Sequence, residues 1–362
     1  MVLKLPPLPQ RKDLVHPPSM DSDELEIEAN RLMERIGQKM RWSLDACRTI
    51  APLTLKINRL KKEKDVILIA HTYQTPDIVY GVADAVGDSY TLSKIARDAP
   101  QSAILFSSVR FMAETAKILS PDKMVLHPSP EAGCSLSEGI NADDVRNLRA
   151  LHPGVPVACY INTTAAVKAE CDVCVTSSNY LSIAENLPGD ELIFVPDRLM
   201  GQHLRTHLDG KKTVYLHEAD CEVHAAFNTT SIQRQRREAR KRGIELRVLA
   251  HPECDADVLA ASDFVGSSER ILIEAKRIAS EEEAAVMMIT ECGTAERAIA
   301  ESEKPIELMG TCSMCRHMKR THLEDVLQAI ESPRGDQIVE IEDDVIGRAR
   351  DCLNQMFELA ES

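Results

Sequence analysis

The sequence predicts an α/β protein made of three similar parallel-sheet α/β units, in pseudo-threefold arrangement around a central cleft. Three observations predict it. From residue 64 onward, apolar runs that read as strands alternate with helical stretches, the pattern of a parallel sheet covered by helices. Parts of the chain repeat one another: ILFSSVRFMAETA, CVTSSNYLSIAEN and FVGSSERILIEAK share a strand, a Ser-Ser pair and a helix. Finally, Cys134, Cys221 and Cys315 lie 87 and 94 residues apart, each just past an apolar run. The carboxyl ends of parallel strands are where α/β sheets bind ligands.

The elements follow in order. Residues 1–20 are Pro-rich and are expected to be mobile or to wrap over the surface. Leu25, Ile27, Leu32, Ile36, Met40 and Leu44 recur at helical spacing, so residues 1–60 read as an N-terminal extension with a helix. The basic patch Arg59–Lys64 reads as its solvated end. The first unit, 61–150, contains the strand DVILIAHTY and the stretch VADAVGDSYTLSKIARDA, read as a helix broken at Gly87. It continues with AILFSSVRFMAETAKIL, a strand running into a helix, and the strand KMVLHPSP before Cys134. The second unit, 151–240, repeats the theme with VPVACYINTT, CVTSSNYLSIAENL, LIFVPDRLMGQHLRT and KTVYLHE before Cys221. The third, 241–330, does so with IELRVLAHPEC, DFVGSSERILIEAKRIA, AVMMITECGTAERAIAE and PIELMGTCSMC, which holds Cys315. LIFVPDRLMG and VMMITECGTA form a matching extra strand in the second and third units, with no clear counterpart in the first. Residues 331–362 read as a C-terminal helical tail.

Composition narrows the function. A 44% hydrophobic chain of 362 residues buries a real core. A net charge of −14 argues against a nucleic-acid partner, which selects for a basic face. It does not exclude anionic substrates, because helix N-termini act locally. No apolar run is long enough to span a bilayer, and the N-terminus lacks the apolar core of a secretory signal. A cytoplasmic enzyme with no membrane partner is expected, its eleven cysteines free thiols rather than bridges. Cys47, Cys159, Cys254, Cys292 and Cys352 read as buried small hydrophobes.

The candidate site lies at the strand ends. His71 and Tyr73, Tyr160 and Asn162, and His251 and Glu253 each follow an apolar strand closely, and His224 follows Cys221 by three residues. Together they supply the donors, acceptors and carboxylate that acid–base chemistry needs. Ser107-Ser108, Ser177-Ser178 and Ser267-Ser268 read first as helix caps. As helix starts aimed at one cleft they also suit a small, multiply anionic substrate. The three lone cysteines would make a metal site one ligand short of tetrahedral closure, which suits a [4Fe–4S] cluster with one accessible, Lewis-acidic iron. Two other readings stay open. The pairs Cys171/Cys174 and Cys312/Cys315 could bind zinc, although they are far apart and the first sits in a strand-like run. Cys312 and Cys315 could also form a redox disulfide.

AHTYQ, GDSYTLS, FMAETAKIL, PEAGCSL, CYINTTAAVKAECDVCVTSSN, FVPDRLMG, CEVH, AHPEC, VGSS and C-x-x-C-x-x-MK occur in this order over about residues 65–325. The ordered set closely resembles the quinolinate synthase family. The resemblance implies three α/β domains and the condensation of iminoaspartate with dihydroxyacetone phosphate, losing phosphate and two waters. It implies a [4Fe–4S] cluster on Cys134, Cys221 and Cys315, with the fourth iron position open to substrate. It further implies that His71, Tyr73, Tyr160, Asn162, His224, His251 and Glu253 contact substrate or move protons. In that set Glu253 is the main proton-transfer group, Tyr73 assists isomerisation of the triose, and His71 stands beside them. Ser89, Ser177, Ser267 and Ser268 match positions that hold phosphate and carboxylate groups. L-aspartate oxidase, as imine supplier, and iron–sulfur assembly proteins are the implied partners. The chain departs from the family in LHEAD before Cys221 and in Ser268 where threonine is common. Cys312 lies in a pattern that some relatives use as a thiol switch. A hydro-lyase acting on another small anion, or a non-catalytic Fe–S sensor, would keep the cluster and change the function.

Overall fold

The computed structural model describes residues 21–361, so the Pro-rich segment 1–20 lies outside the described residues. Three separate sheets form, and every pairing within them is parallel. The first holds β1 (Val66–His71), β2 (Ala85–Gly87), β3 (Ala103–Ser107) and β4 (Met124–Leu126) in the order β2-β1-β3-β4. The second holds β5 (Val157–Tyr160), β6 (Val173–Val175), β7 (Glu191–Val195) and β8 (Thr213–Leu216) in the order β6-β5-β7-β8. The third holds β9 (Glu245–Ala250), β10 (Phe264–Val265) and β11 (Ala284–Ile289) in the order β10-β9-β11. One strand order is thus built three times, as the repeated sequence predicts, with the fourth strand absent from the third sheet.

Burial on both faces sets the composition of the strands: β3 is AILFS and β7 ends LIFV, apolar on successive residues. Packing joins the first two sheets through one apolar core, where Ile69 and Phe106 belong with Val157 and Phe194. The third sheet has its own clusters, around Val248 and Met287 on one face and Leu249 and Ile271 on the other. The C-terminal helix Asp343–Glu361 packs on β6 of the second sheet and buries Cys352, Leu353 and Met356.

The repeat is shifted by one strand relative to the sequence reading. VADAVGDSYTLSKIARDA is not a helix broken at Gly87. It is β2, then Asp88 as N-cap, then the helix Ser89–Asp98. The first-unit partner of CVTSSN and FVGSSE is therefore AVGDSY, and ILFSSVRFMA is the counterpart of LIFVPDRLMG that seemed missing. Ser107-Ser108 accordingly closes a third strand rather than a second. Neither serine caps a helix: Ser107 Oγ donates to Gln74 Oε1 at 3.1 Å and Ser108 Oγ to the Val109 carbonyl at 3.2 Å. Two further expectations are corrected. PIELMG forms no strand, only parallel bridges Val286–Leu308 and Glu291–Ser313, because Pro305 lacks a ladder donor and Gly310 turns the chain with φ 93°. The patch Arg59–Lys64 is not simply solvated: Lys61 is buried, and its ammonium meets the Val82 carbonyl and Asp84 Oδ1 at 2.5 and 2.7 Å.

Candidate active site

The carboxyl ends of strands from all three sheets supply the walls of one cavity of about 660 Å³, solvent at its mouth included. First strands bring His71 and Tyr73, Tyr160 and Asn162, and His251 and Glu253. Second strands bring Ser89, Ser177 and Ser268. Cys134, Cys221 and Cys315 come from the segments that follow the fourth strand position. Of the residues expected from sequence, Ser107, Ser108 and Ser178 stand back from the wall, and so does Ser267. It caps the helix Ser268–Glu281 and donates to Asp88 Oδ2 at 3.3 Å, while Asp88 caps the helix that begins at Ser89. Ser89 and Ser268 therefore open helices of ten and fourteen residues whose first N–H groups are free for anions.

One hydrogen-bonded chain crosses the cavity. Ser268 Oγ lies 2.5 Å from Tyr73 Oη, which lies 3.2 Å from Thr290 Oγ1. Thr290 Oγ1 lies 3.1 Å from His224 Nε2, and His224 Nδ1 lies 2.7 Å from Glu253 Oε2. Tyr160 Oη donates to Glu253 Oε1 at 2.5 Å. Thr290 is the node the sequence reading missed, although the signal was there: it directly follows the apolar run AAVMMI, as His71 follows VILIA. His224 also stacks on His251 with ring centroids 4.4 Å apart, and its Nδ1 is 3.3 Å from Cys221 Sγ.

Burial governs the electrostatics. Desolvation, helped by the charges of Arg297 and Lys319, lowers His71 to about 3. Desolvation and the neighbouring His224 lower His251 to about 3. Both rings are neutral at physiological pH. His71 Nδ1 accepts from the Tyr73 N–H at 3.1 Å, which assigns its proton to Nε2. Burial also raises Tyr73 and Tyr160 well above the usual phenol range. Glu253 is different. Burial opposes its charge, but the neighbouring imidazoles of His224 and His251 and hydrogen bonds from His224 and Tyr160 hold it below the usual carboxylate range.

The three candidate ligands are buried thiols. Desolvation pushes Cys134 up to about 12, Cys315 up to about 11, and Cys221 well above its ordinary value. Such thiols are inert until a cationic centre binds the sulfurs and displaces their protons to solvent. Three sulfurs, each from a different unit, on the wall of one cavity fit a cluster held by three ligands. Asn162 Oδ1, buried and without a hydrogen-bond partner, adds an acceptor on the same wall. The compact single-ion set among the described residues is another: Cys221, His224 and Glu253.

The other cysteine readings change. Cys312 does not pair with Cys315, and Cys292 is not a simple hydrophobe: the two form a disulfide with Cα atoms 5.0 Å apart. The Glu291–Ser313 bridge lays the loop 310–318 along the start of the helix Cys292–Glu301, which brings those thiols together. Glu291, buried there, accepts from the Cys315 N–H at 3.1 Å and so holds the ligand's backbone. Cys171/Cys174 and Cys312/Cys315 do not meet in one zinc site. The first pair contacts Cys159, and Cys312 is spent on Cys292.

Comparison with known proteins agrees with this geometry. Residues 55–358 match the family described as NadA, quinolinate synthetase A protein. A quinolinate synthase of Caulobacter vibrioides is 39% identical over 343 residues, covering 93% of this chain and 89% of the relative. Quinolinate synthase 2 of Mesorhizobium japonicum is 40% identical over 298 residues, 82% and 88% of the two chains. A Xylella fastidiosa quinolinate synthase is 37% identical over 303 residues, 84% and 86% of the two. The strand-end residues, the shared cavity and these matches together place the chain in the quinolinate synthase family.

Proposed function

We propose that the chain condenses iminoaspartate with dihydroxyacetone phosphate to quinolinate, with release of phosphate and water. The observation that carries this reading is one cavity whose wall holds three thiols from three units beside a buried carboxylate–imidazole–phenol network. Cys134, Cys221 and Cys315 are the residues that would hold a [4Fe–4S] cluster. Bound there, the cluster would supply a Lewis-acidic iron for substrate oxygen or nitrogen.

The protein's own groups do the rest. The substrates carry carboxylates and a phosphate; Ser89, Ser177 and Ser268 offer hydroxyls, and Ser89 and Ser268 also helix N-termini, to such groups. Ring closure with loss of water needs protons removed at carbon and nitrogen and delivered to departing oxygens. Glu253 is the base: it is ionised, dry, and fixed from both sides by His224 and Tyr160. Neutral His71 and His251 each accept a backbone N–H at Nδ1, which leaves an Nε2 proton to offer substrate without adding charge. Tyr73, held by Ser268 and Thr290, moves a proton during isomerisation of the triose. L-Aspartate oxidase is the partner that would supply the imine.

The test is an anaerobic assay. Reconstituted protein given both substrates should form quinolinate, detected by chromatography. Protein that binds the cluster yet forms no quinolinate sinks the reading. Dehydration of another small anion would then favour a hydro-lyase, and ligand binding without turnover a sensor.

A further inference from the structure

Away from the cavity, the second unit buries four thiols on one face of its sheet. Cys159 and Cys174 are register partners on β5 and β6, so their side chains share a face. Cys171 stands in the turn entering β6, and Cys352 comes from the C-terminal helix packed on that strand. The four are 0, 8, 0 and 1% exposed for Cys159, Cys171, Cys174 and Cys352. Cys159 is the hub: its sulfur lies 3.7 Å from that of Cys352, with Cys171 and Cys174 beside it, their thiols turned to the Val167 and Val175 carbonyls.

Packing explains one buried cysteine, since the thiol is a small hydrophobe. It does not explain three sulfurs gathered on a fourth, nor the cation beside them. Lys168 is 0% exposed, and its ammonium is bonded to the Ile161 carbonyl and to the carbonyl and hydroxyl of Thr163. None of these partners is a carboxylate. A buried ammonium calls for compensating negative charge. Its field falls on Cys159 and Cys174, and that of Arg149 falls on Cys171. Burial holds Cys171, Cys174 and Cys352 well above the usual thiol range, while Cys159 is drawn below it, chiefly by its three sulfur neighbours.

We propose that Cys159, Cys171, Cys174 and Cys352 form a structural zinc site that staples the C-terminal helix to the second sheet. The spacing Cys-x-x-Cys from 171 to 174 is common in zinc-binding turns. Zinc–sulfur bonds of about 2.3 Å in a tetrahedron put sulfurs about 3.8 Å apart. Cys159 and Cys352 already have that separation. As free thiols the sulfurs fan out from Cys159, with Cys171 donating to the Val167 carbonyl at 3.1 Å. Closure on the ion takes rotamer changes at Cys171 and Cys174, each able to move a sulfur by about 3 Å. Four thiols give up four protons to solvent, four S–Zn bonds form, and no electrons are transferred. The resulting net charge of minus two is offset by Lys168, with Arg149 near. All positions being protein ligands, the site is structural rather than catalytic.

Metal analysis of the full-length protein, prepared anaerobically, tests this. The wild type should carry about one zinc per chain in addition to iron. Zinc should be lost, with iron retained, in Cys352→Ala and separately in the double variant Cys171→Ala/Cys174→Ala. Thermal unfolding midpoints should fall in both and stop responding to added zinc. If those variants do not fold, the wild type still decides. Zinc-stripped protein should take up cadmium with a thiolate-to-metal charge-transfer band and release protons. Wild-type protein without zinc that binds no cadmium overturns the proposal. So does zinc that survives Cys352→Ala but leaves with Cys221→Ala, since it would belong to the cavity. Neither result bears on whether quinolinate is made.

Discussion

At the residue scale the cavity divides by what each atom can do. Glu253 has both oxygens engaged by a donor, so Glu253→Gln keeps the shape and removes the proposed base. The variant is expected to bind iron as the wild type does and to lose about 10²–10⁴-fold in kcat. Iron analysis beside the anaerobic assay checks this; near-full activity removes its role. Thr290 is subtler. Its hydroxyl joins Tyr73 to His224 and is wholly buried. Thr290→Val is isosteric but leaves two buried partners without their bond, at a cost of about 1–3 kcal/mol. Thr290→Ser restores the bond. The expected order of kcat is wild type, serine, valine, with KM moving less than kcat. Equal loss in both variants would mean that the methyl group, not the hydroxyl, matters. Cys315→Ala should lose iron while Cys312→Ala keeps it, because Cys312 is turned to Cys292. The reverse outcome would make Cys312, not Cys315, the ligand.

At the element scale, legibility followed the physics of each segment. First strands were plain because an apolar run ending in a polar residue, such as VILIAH, has few other uses. The strand β2 was read as helix because three residues, AVG, cannot establish a period, and the helix beyond Asp88 dominated the window. That one error displaced the repeat and put Ser107-Ser108 in the place of Ser89. The Cys292–Cys312 bridge was illegible for another reason: it depends on a loop laid beside a helix start, which no local pattern encodes. The same helix start tests the packing. A Cβ on Gly293 would stand 2.4 Å from the Thr72 carbonyl and 2.9 Å from Tyr73 Cα, both backbone atoms. Gly293→Ala must push the helix Cys292–Glu301 away from the strand end that presents His71 and Tyr73. A loss of about 1–3 kcal/mol is expected from such overpacking, with a fall in kcat. Denaturant melts read the first and the assay the second; wild-type stability would show that the helix yields freely.

At the scale of the whole molecule, converging strand ends have a thermodynamic consequence. Placing polar groups where three units meet buries histidines that must stay neutral. His71 and His251 are lowered to about 3, and His127, outside the cavity, to about 4, all chiefly by desolvation. In the unfolded chain each titrates near about 6.5. Between those values the unfolded state binds a proton that the folded state refuses. Stability therefore rises with pH there and is lost as the medium is acidified from about 6.5 toward about 4. Each histidine contributes a slope of up to about 1.4 kcal/mol per pH unit. Glu253, held low, acts in the same direction at more acid pH. The protein should accordingly denature in mild acid, well before most carboxylates are protonated. His127 allows a clean check, because its Nε2 meets only the Ser108 carbonyl, at 3.0 Å, and it does not line the cavity. His127→Gln should flatten the dependence of unfolding free energy on pH between about 5 and 6 by one histidine's share. A slope unchanged in that variant would show that His127 takes up its proton in the folded state.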